Sequence, residues 1–255
     1  EKQLAATHVE SVRTLLKFIR ERYTGKITIG ESTLGPASRG FENFGYQGLI
    51  KEFGVEFEDI NEGEWEILDL YDSELNPMKV HFSKHLIESD YLISITPSKT
   101  HDMVVATLSI KNVIMGGVSF NHNDKQKIHQ GYPVMNYNLY LMASKCLPDL
   151  SVIDGYLGME GEGPGDGDPV EWGIAAASCD AVAADCLVAG MMGFDINDIG
   201  YFWYLQKMGY GAGDTGQMNI IGENPDKYRR KFKPHSTYTA QKGWRDDRIN
   251  KLLDL

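Results

Sequence analysis

Between Leu150 and Gly193 the chain reads LSVIDGYLGMEGEGPGDGDPVEWGIAAASCDAVAADCLVAGMMG, a stretch that few folds accommodate. An apolar strand runs into an acidic glycine-rich loop, a second strand follows, and then comes a helix that is apolar on every side. Such a helix belongs in the core of a sizeable domain. It nevertheless carries Asp185 near its centre and Asp180 at its mouth, and Asp154 ends the first strand. A carboxylate among apolar residues is costly to bury unless a cation, a backbone donor or a metal meets it. The stretch therefore demands a large core and partners drawn from elsewhere in the chain.

The remaining sequence supplies both. Val9, Val12, Leu15, Leu16 and Ile19 recur at helical spacing behind a capping box at Thr7 and Glu10. Short strands follow at 26–30 and 55–60, separated by a helix over 42–53. Helix alternating with strand is the pattern of a parallel sheet. WEILDLYD and MKVHF flank the turn signal Asn76-Pro77 and predict a β-hairpin insertion. A buried strand over 91–96 ends in Pro97-Ser-Lys-Thr-His101. The polar segment 119–138 has the length of a lid or binding loop, and a helix over 138–146 closes this half. Beyond Gly193, an aromatic helix over 197–208, an edge strand over 218–221 and a final helix near 244–253 complete the chain. The expected fold is α/β: a mostly parallel twisted sheet with helices on both faces plus the hairpin, as a single domain over 1–255.

Composition narrows the function by exclusion. A formal net charge of −11 argues against a nucleic-acid binder held by phosphate contacts. Three cysteines without a C-x-x-C make neither a disulfide framework nor a zinc ribbon. No apolar run is long enough to span a bilayer. The expectation is a cytoplasmic protein with buried thiols, although a chain that begins at Glu1 leaves an export segment open.

In open parallel sheets, ligands bind outside the carboxyl ends of the strands. Four predicted strands end in polar groups: Glu31 and Ser32, Lys99 with Thr100 and His101, Asp154 with Gly155, and Asp180. If these strands are parallel, all converge on one crevice. Lys99 can hold a carboxylate or phosphate, or act as a base if burial lowers its pKa. His101 can carry protons. Lys111 and Asn112 form a second cation–amide pair. Asp180 reads equally well as a simple helix cap, and Asp185 requires a partner of some kind. The loop residues Glu160, Gly161 and Glu162 allow close backbone approach or a hard-cation site, and a flexible acidic turn is the equal alternative. His122 and His129 read as ordinary loop histidines.

Taken together, Ile95-Thr-Pro-Ser-Lys-Thr-His101, Leu108-Ser-Ile-Lys-Asn112, Ser151-Val-Ile-Asp-Gly155, Gly158-Met-Glu-Gly-Glu-Gly-Pro164 and Ala177-Ser-Cys-Asp-Ala-Val-Ala-Ala-Asp185 resemble the domain-of-unknown-function 362 family over about 27–223. The resemblance supplies no mechanism. Members are often described as iron–sulfur proteins because many carry a ferredoxin-like module. This sequence shows no such module, so no iron–sulfur cluster is expected on it. The family's usual Asp-Pro before the helix is Asp180-Ala181 here.

These readings describe an enzyme or ligand-binding protein acting on a small anionic metabolite. Lys99, His101 and Asp185 are its candidate catalytic residues. Glu31, Ser32, Thr100, Lys111, Asn112, Asp154, Gly155, Glu160 and Gly161 are candidate ligand contacts, and Asp154 and Asp180 are candidate ligands for a divalent metal. The alternative is a redox domain working with a separate iron–sulfur protein. A homo-oligomer is compatible with either.

Overall fold

The computed structural model of the chain describes residues 3–255, with side chains from Leu4 onward. The first helix, α1 (Val9–Arg20), buries Val12 and Leu16. Its cap is His8, whose Nδ1 accepts from Glu10 N at 3.2 Å. The expected cap, Thr7, instead donates through Oγ1 to the Ile95 carbonyl. Next come β1 (Thr28–Glu31), α2 (Ala37–Asn43), α3 (Gln47–Phe53) and β2 (Glu56–Asp59). The single helix expected over 42–53 is two, because Gly45 turns the chain at a φ of 77°, a conformation that favours glycine. β1 and β2 pair in parallel from Thr28↔Glu56 to Glu31↔Asp59. A small core of Val12, Leu16, Phe41, Leu49 and Val55 holds this unit, and Ile95 packs against it from the next layer.

The hairpin forms as β3 (Trp65–Tyr71) and β4 (Pro77–Ser83), paired antiparallel along their whole length. A short α4 (Lys84–Ile87) follows, then β5 (Ile93–His101) and β6 (Val105–Thr107). β5 continues through the segment expected to be a loop because β6 folds back on it, pairing Lys99 with Thr107 and His101 with Val105. Pro97, which has no N–H to donate, sits at a register shift, where a strand tolerates it. The chain then runs through α5 (Ser109–Gly117), α6 (Asp124–Lys127), α7 (Tyr132–Ala143), β7 (Leu150–Glu160), β8 (Asp168–Ser178), α8 (Ala181–Met191), α9 (Gly200–Lys207), α10 (Tyr238–Gln241) and α11 (Asp247–Leu252).

The main sheet has the order β6–β5–β7–β8. Only β5 and β7 are parallel in it; β6 and β8 both run the other way. The architecture is mixed α/β with small mixed sheets, a departure from the mostly parallel sheet expected. The cause lies in the acidic glycine loop. It is a tight connection that sends β8 straight back along β7, whereas a parallel neighbour needs a long crossover.

The large core gathers under this sheet, with Ile110, Ile114, Leu139, Val182, Val188, Tyr201 and Trp244 buried. Each fully buried aliphatic side chain contributes roughly 1.5–3 kcal/mol relative to exposure. Two asparagines tie helices to neighbours. Asn138 takes the N–H of Tyr71 at 3.0 Å and donates to its carbonyl at 2.8 Å, closing the end of the hairpin against α7. Asn136 accepts from Tyr201 N at 2.9 Å, capping α9. Met218–Ile221, expected as an edge strand, follows a 3₁₀ turn at Thr215–Gln217 without pairing, and Ile221 is exposed. No helix among the described residues is long and apolar enough to cross a membrane.

Candidate functional site

Side chains alternate along a strand, so Lys99 and His101 share one face of β5 while Thr100 points the other way. Thr100 is buried and donates to the Gly161 carbonyl at 2.9 Å. Lys99 is buried too, and its ammonium donates to the Ala5 carbonyl at 2.7 Å. Burial brings it down to about 8, against an opposing pull from Glu31. Glu31 ends β1, where its Oε1 accepts from Ser32 N at 2.8 Å. Its side chain opens to solvent, yet enough protein surrounds the carboxyl to push its pKa up, against the Ser32 bond, Lys99 and Lys125.

Two further lysines belong to the same electrostatic group, Lys111 being influenced by Lys99 and Lys125, and Glu31 by Lys99 and Lys125. Lys111 stands in the first turn of α5, buried and without a hydrogen-bonding or ion-pair partner among the described residues. Burial lowers it to about 7, and the like charge of Lys99 adds to the effect while Asp102 opposes it. Lys125 comes from the polar segment after α5. It donates to Ser32 Oγ at 2.9 Å and lies 3.7 Å from the centroid of the Phe120 ring. Burial holds it near 7, against the attraction of Glu31 and Asp59. Asn61 fixes this segment on the end of the β1–β2 unit, accepting from Phe120 N at 3.1 Å through Oδ1 and from Asn121 Nδ2 at 2.8 Å through its carbonyl.

His101 completes the group. Burial first, then Lys111, bring it down to about 3, so the ring is neutral. Its Nδ1 lies 3.0 Å from Met103 N and 2.9 Å from Asp102 Oδ1. A bare Nδ1 serves Met103 and a protonated Nδ1 serves the carboxylate. Moving the ring proton between its nitrogens therefore exchanges one bond for the other.

The carboxylates of the 150–193 stretch do different work. Asp154 accepts from Ser11 Oγ at 2.5 Å and from Tyr156 N at 2.9 Å, pinning α1 over a bulge in β7 next to Gly155. Asp180 caps α8, accepting from Ala183 N at 2.8 Å, and also takes Ala212 N at 2.9 Å. Because β8 is antiparallel, Asp180 lies at the opposite end of the sheet from Lys99. Asp185 is fully buried and accepts from Ser109 N and Ile110 N, both at 2.9 Å. It is thus satisfied by the backbone start of α5, the helix that carries Lys111, and not by a cation. Burial raises it to about 7, against those two bonds. Asn112 gives its amide to Ser94 Oγ. Glu160 accepts from Lys233 N at 2.8 Å, Gly161 N donates to the Lys233 carbonyl, and Glu162 binds Ser236 and His235, so the glycine loop anchors the C-terminal tail. Among the described residues no group of three or more His, Cys, Asp or Glu is arranged to hold a metal.

A depression of about 610 Å³ opens at that opposite end, lined by Tyr91, Pro148, Asp149, Cys179, Asp180 and Tyr210 among others. Both of its carboxylates are already engaged, Asp180 as a cap and Asp149 with Leu92 N at 2.8 Å. The lysine group, in which Lys111 has no partner among the described residues, is the stronger candidate. Sequence reasoning missed Lys125 there. Only its place in the long polar segment pointed to it.

The sequence profile of a family described as Domain of unknown function (DUF362) matches residues 1–190, three quarters of the chain. The chain belongs to that family. The matched DUF362 region contains Glu31, Lys99, His101, Lys111, Lys125, Asp154 and Asp185, and excludes the C-terminal tail. A thylakoid-associated protein of Synechocystis sp. is 28% identical over 193 residues, covering 74% of this chain and 58% of its own length. The chain thus spans less than two thirds of that relative. A crystal structure of a Thermotoga maritima protein is similar with a TM-score of 0.45 and 12% identity, over 70% of this DUF362 chain and 49% of that one.

Proposed function

We propose that the crevice at the ends of β1, β2 and β5 binds a small anionic metabolite, with Lys99, Lys111 and Lys125 as its cationic wall. One observation carries this reading: Lys111 is buried, is subject to the like charge of Lys99, and has no ion-pair or hydrogen-bond partner among the described residues. Burial disfavours the charged form of Lys111, and an anion entering the crevice would supply a compensating charge. Lys125 reaches the same space from a segment docked through Asn61, and Glu31 offsets part of the positive field. His101, neutral and under the electrostatic influence of Lys111, would exchange a proton with a bound ligand.

Isothermal titration with phosphate, sulfate and small mono- and dicarboxylates at pH 6.5 tests the reading. One class should bind in a one-to-one ratio, weaken with added salt, and weaken again as pH rises through about 7 to 8 and the lysines discharge. Lys111→Met and Lys125→Met should each lower affinity at least about tenfold, a loss of roughly 1.4 kcal/mol. Equal affinity in both variants, or no binding across the panel, would overturn it.

A further inference from the structure

A buried hydroxyl destabilises a fold unless something bonds to it. Thr107, on β6, is 6% exposed, and its Oγ1 has no hydrogen-bond partner among the described residues. Its place in the sheet gives that hydroxyl a neighbour. β6 folds back antiparallel on β5 with Thr107 directly opposite Lys99. Residues paired across two strands put their side chains on the same face, with Cβ atoms about 4.5–5.5 Å apart. Thr107 therefore stands beside Lys99 on the face that also carries His101. The other unpartnered buried hydroxyls are placed differently. Ser98 precedes Lys99 on β5 and takes the opposite face, toward Gly158 and Phe232. Ser83 belongs to the β3–β4 hairpin, and Tyr201 and Tyr204 to α9 in the large core.

The register that makes this pair is held under strain. Val105, opposite His101, has a φ of 67°, left-handed backbone that a β-branched residue adopts only when its surroundings impose it. Gln241 imposes it from α10. Its Oε1 accepts from Val105 N, and its Nε2 donates to the His101 carbonyl at 2.8 Å. One side chain thus grips both strands at their turn and fixes which residue lies opposite Lys99. Lys99 also has donors to spare. An ammonium has three, and one goes to the Ala5 carbonyl.

We infer that Thr107 Oγ1 donates a hydrogen bond to one oxygen of a phosphoryl group, and that a second oxygen of the same group takes the ammonium of Lys99. The inference rests on the anion-binding reading and deepens it by naming a contact and a ligand class. A phosphoryl group turns its oxygens in several directions, which suits an ammonium and a hydroxyl on separate strands. A planar carboxylate is matched best by the fork of an arginine, and no arginine is among the charges that act on Lys99 or Glu31.

The test is isothermal titration of the whole chain at pH 6.5 with inorganic phosphate, and with acetate as the carboxylate. Phosphate should bind in a one-to-one ratio and more tightly than acetate. Thr107→Val keeps the branched shape and removes only the hydroxyl. It should weaken phosphate binding at least about tenfold. Its urea midpoint should equal or exceed that of the native chain, because the group removed has no partner in the fold. Thr107→Ser, which retains a hydroxyl, should bind phosphate within about threefold of the native chain.

A lowered urea midpoint in Thr107→Val would show the hydroxyl to be structural and overturn the inference. If phosphate binds and Thr107→Val binds it equally well, the Thr107 contact fails and anion binding stands. If acetate binds and phosphate does not, the phosphoryl assignment fails and anion binding again stands. If no anion binds the native chain, both levels fail.

Discussion

Asp185 meets the backbone of Ser109 at 2.9 Å, in a place where no water reaches either group. With Ile110 N on its second oxygen, this one carboxylate satisfies two of the free N–H groups that begin α5. It thereby fixes the helix turn from which Lys111 projects. Asp185 and Lys111, which has no partner among the described residues, are linked only through the backbone of the first turn of α5.

Removing that carboxylate should therefore cost fold stability before anything else. Asp185→Ala leaves two buried donors unbonded, for a loss of about 2–5 kcal/mol in denaturant unfolding. The pH dependence has a defined sign. The folded value near 7 lies above the unfolded one, so the folded state binds the extra proton between about 4 and 7. The contribution from protonation is complete below pH 4 and is lost as pH rises through 7. Asp185→Asn should flatten that slope, as read by urea midpoints at pH 4.5, 5.5 and 6.5.

Lys111 should behave in the opposite sense. Its folded value near 7 lies below the ordinary lysine value, so the unfolded state binds more protons between about 7 and 10.5. Stability from this group is full above 10.5 and falls as pH drops through 7. At pH 6.5, Lys111→Met should raise the stability of the chain by about 1–2 kcal/mol, because a buried cation is replaced by an apolar side chain of similar length. The same substitution should abolish anion binding. A variant that is more stable and unable to bind is the signature expected of a residue kept for function.

On the anion-binding proposal, Glu31 would compete with the ligand for the lysine charges that it already attracts. Glu31→Gln should tighten binding of the preferred anion by about three- to tenfold in calorimetry, equivalent to roughly 1 kcal/mol. It should also lower the pH at which binding is lost, since Lys99 and Lys125 lose the carboxylate that favours their charged forms.

Asn138 offers a test away from the crevice. Its side chain gives and takes one bond each with Tyr71, at the end of β3. Asn138→Ala should cost about 2 kcal/mol. Hydrogen exchange should show faster opening at Tyr71 and along β4, with the protection of β5 and β7 unchanged.

The parts of this arrangement that were legible in the sequence share a cause. Val55 and Ile60, Ile93 and Ile95, and Ser151 to Ile153 carry their burial pattern in their own letters, so strands there could be seen, and polar residues at their ends could be placed. Glu31, Lys99 and His101 follow from that logic. Strand direction is another matter. β8 has the same apolar run whether it lies parallel or antiparallel, and only the length of the glycine connection decides. Asp180 was for that reason expected beside Lys99, and it lies at the far end. The partners of Asp185 are backbone N–H groups, which have no letter at all. Lys125 follows a stretch without periodicity, and its position depends on Asn61, more than sixty residues earlier.

Ala5 and Lys99 are 94 positions apart, yet one hydrogen bond joins them. On the anion-binding proposal, the segment before α1 would be a built-in competitor for Lys99. An incoming anion that draws on Lys99 has to displace a carbonyl belonging to the same chain, or share the ammonium with it. The affinity measured for any ligand will then include how firmly that tail is seated. Ala5 itself can be exchanged for other residues without altering its carbonyl. Deleting the tail leaves Lys99 without that acceptor, and two buried lysines in place of one then require a counter-charge.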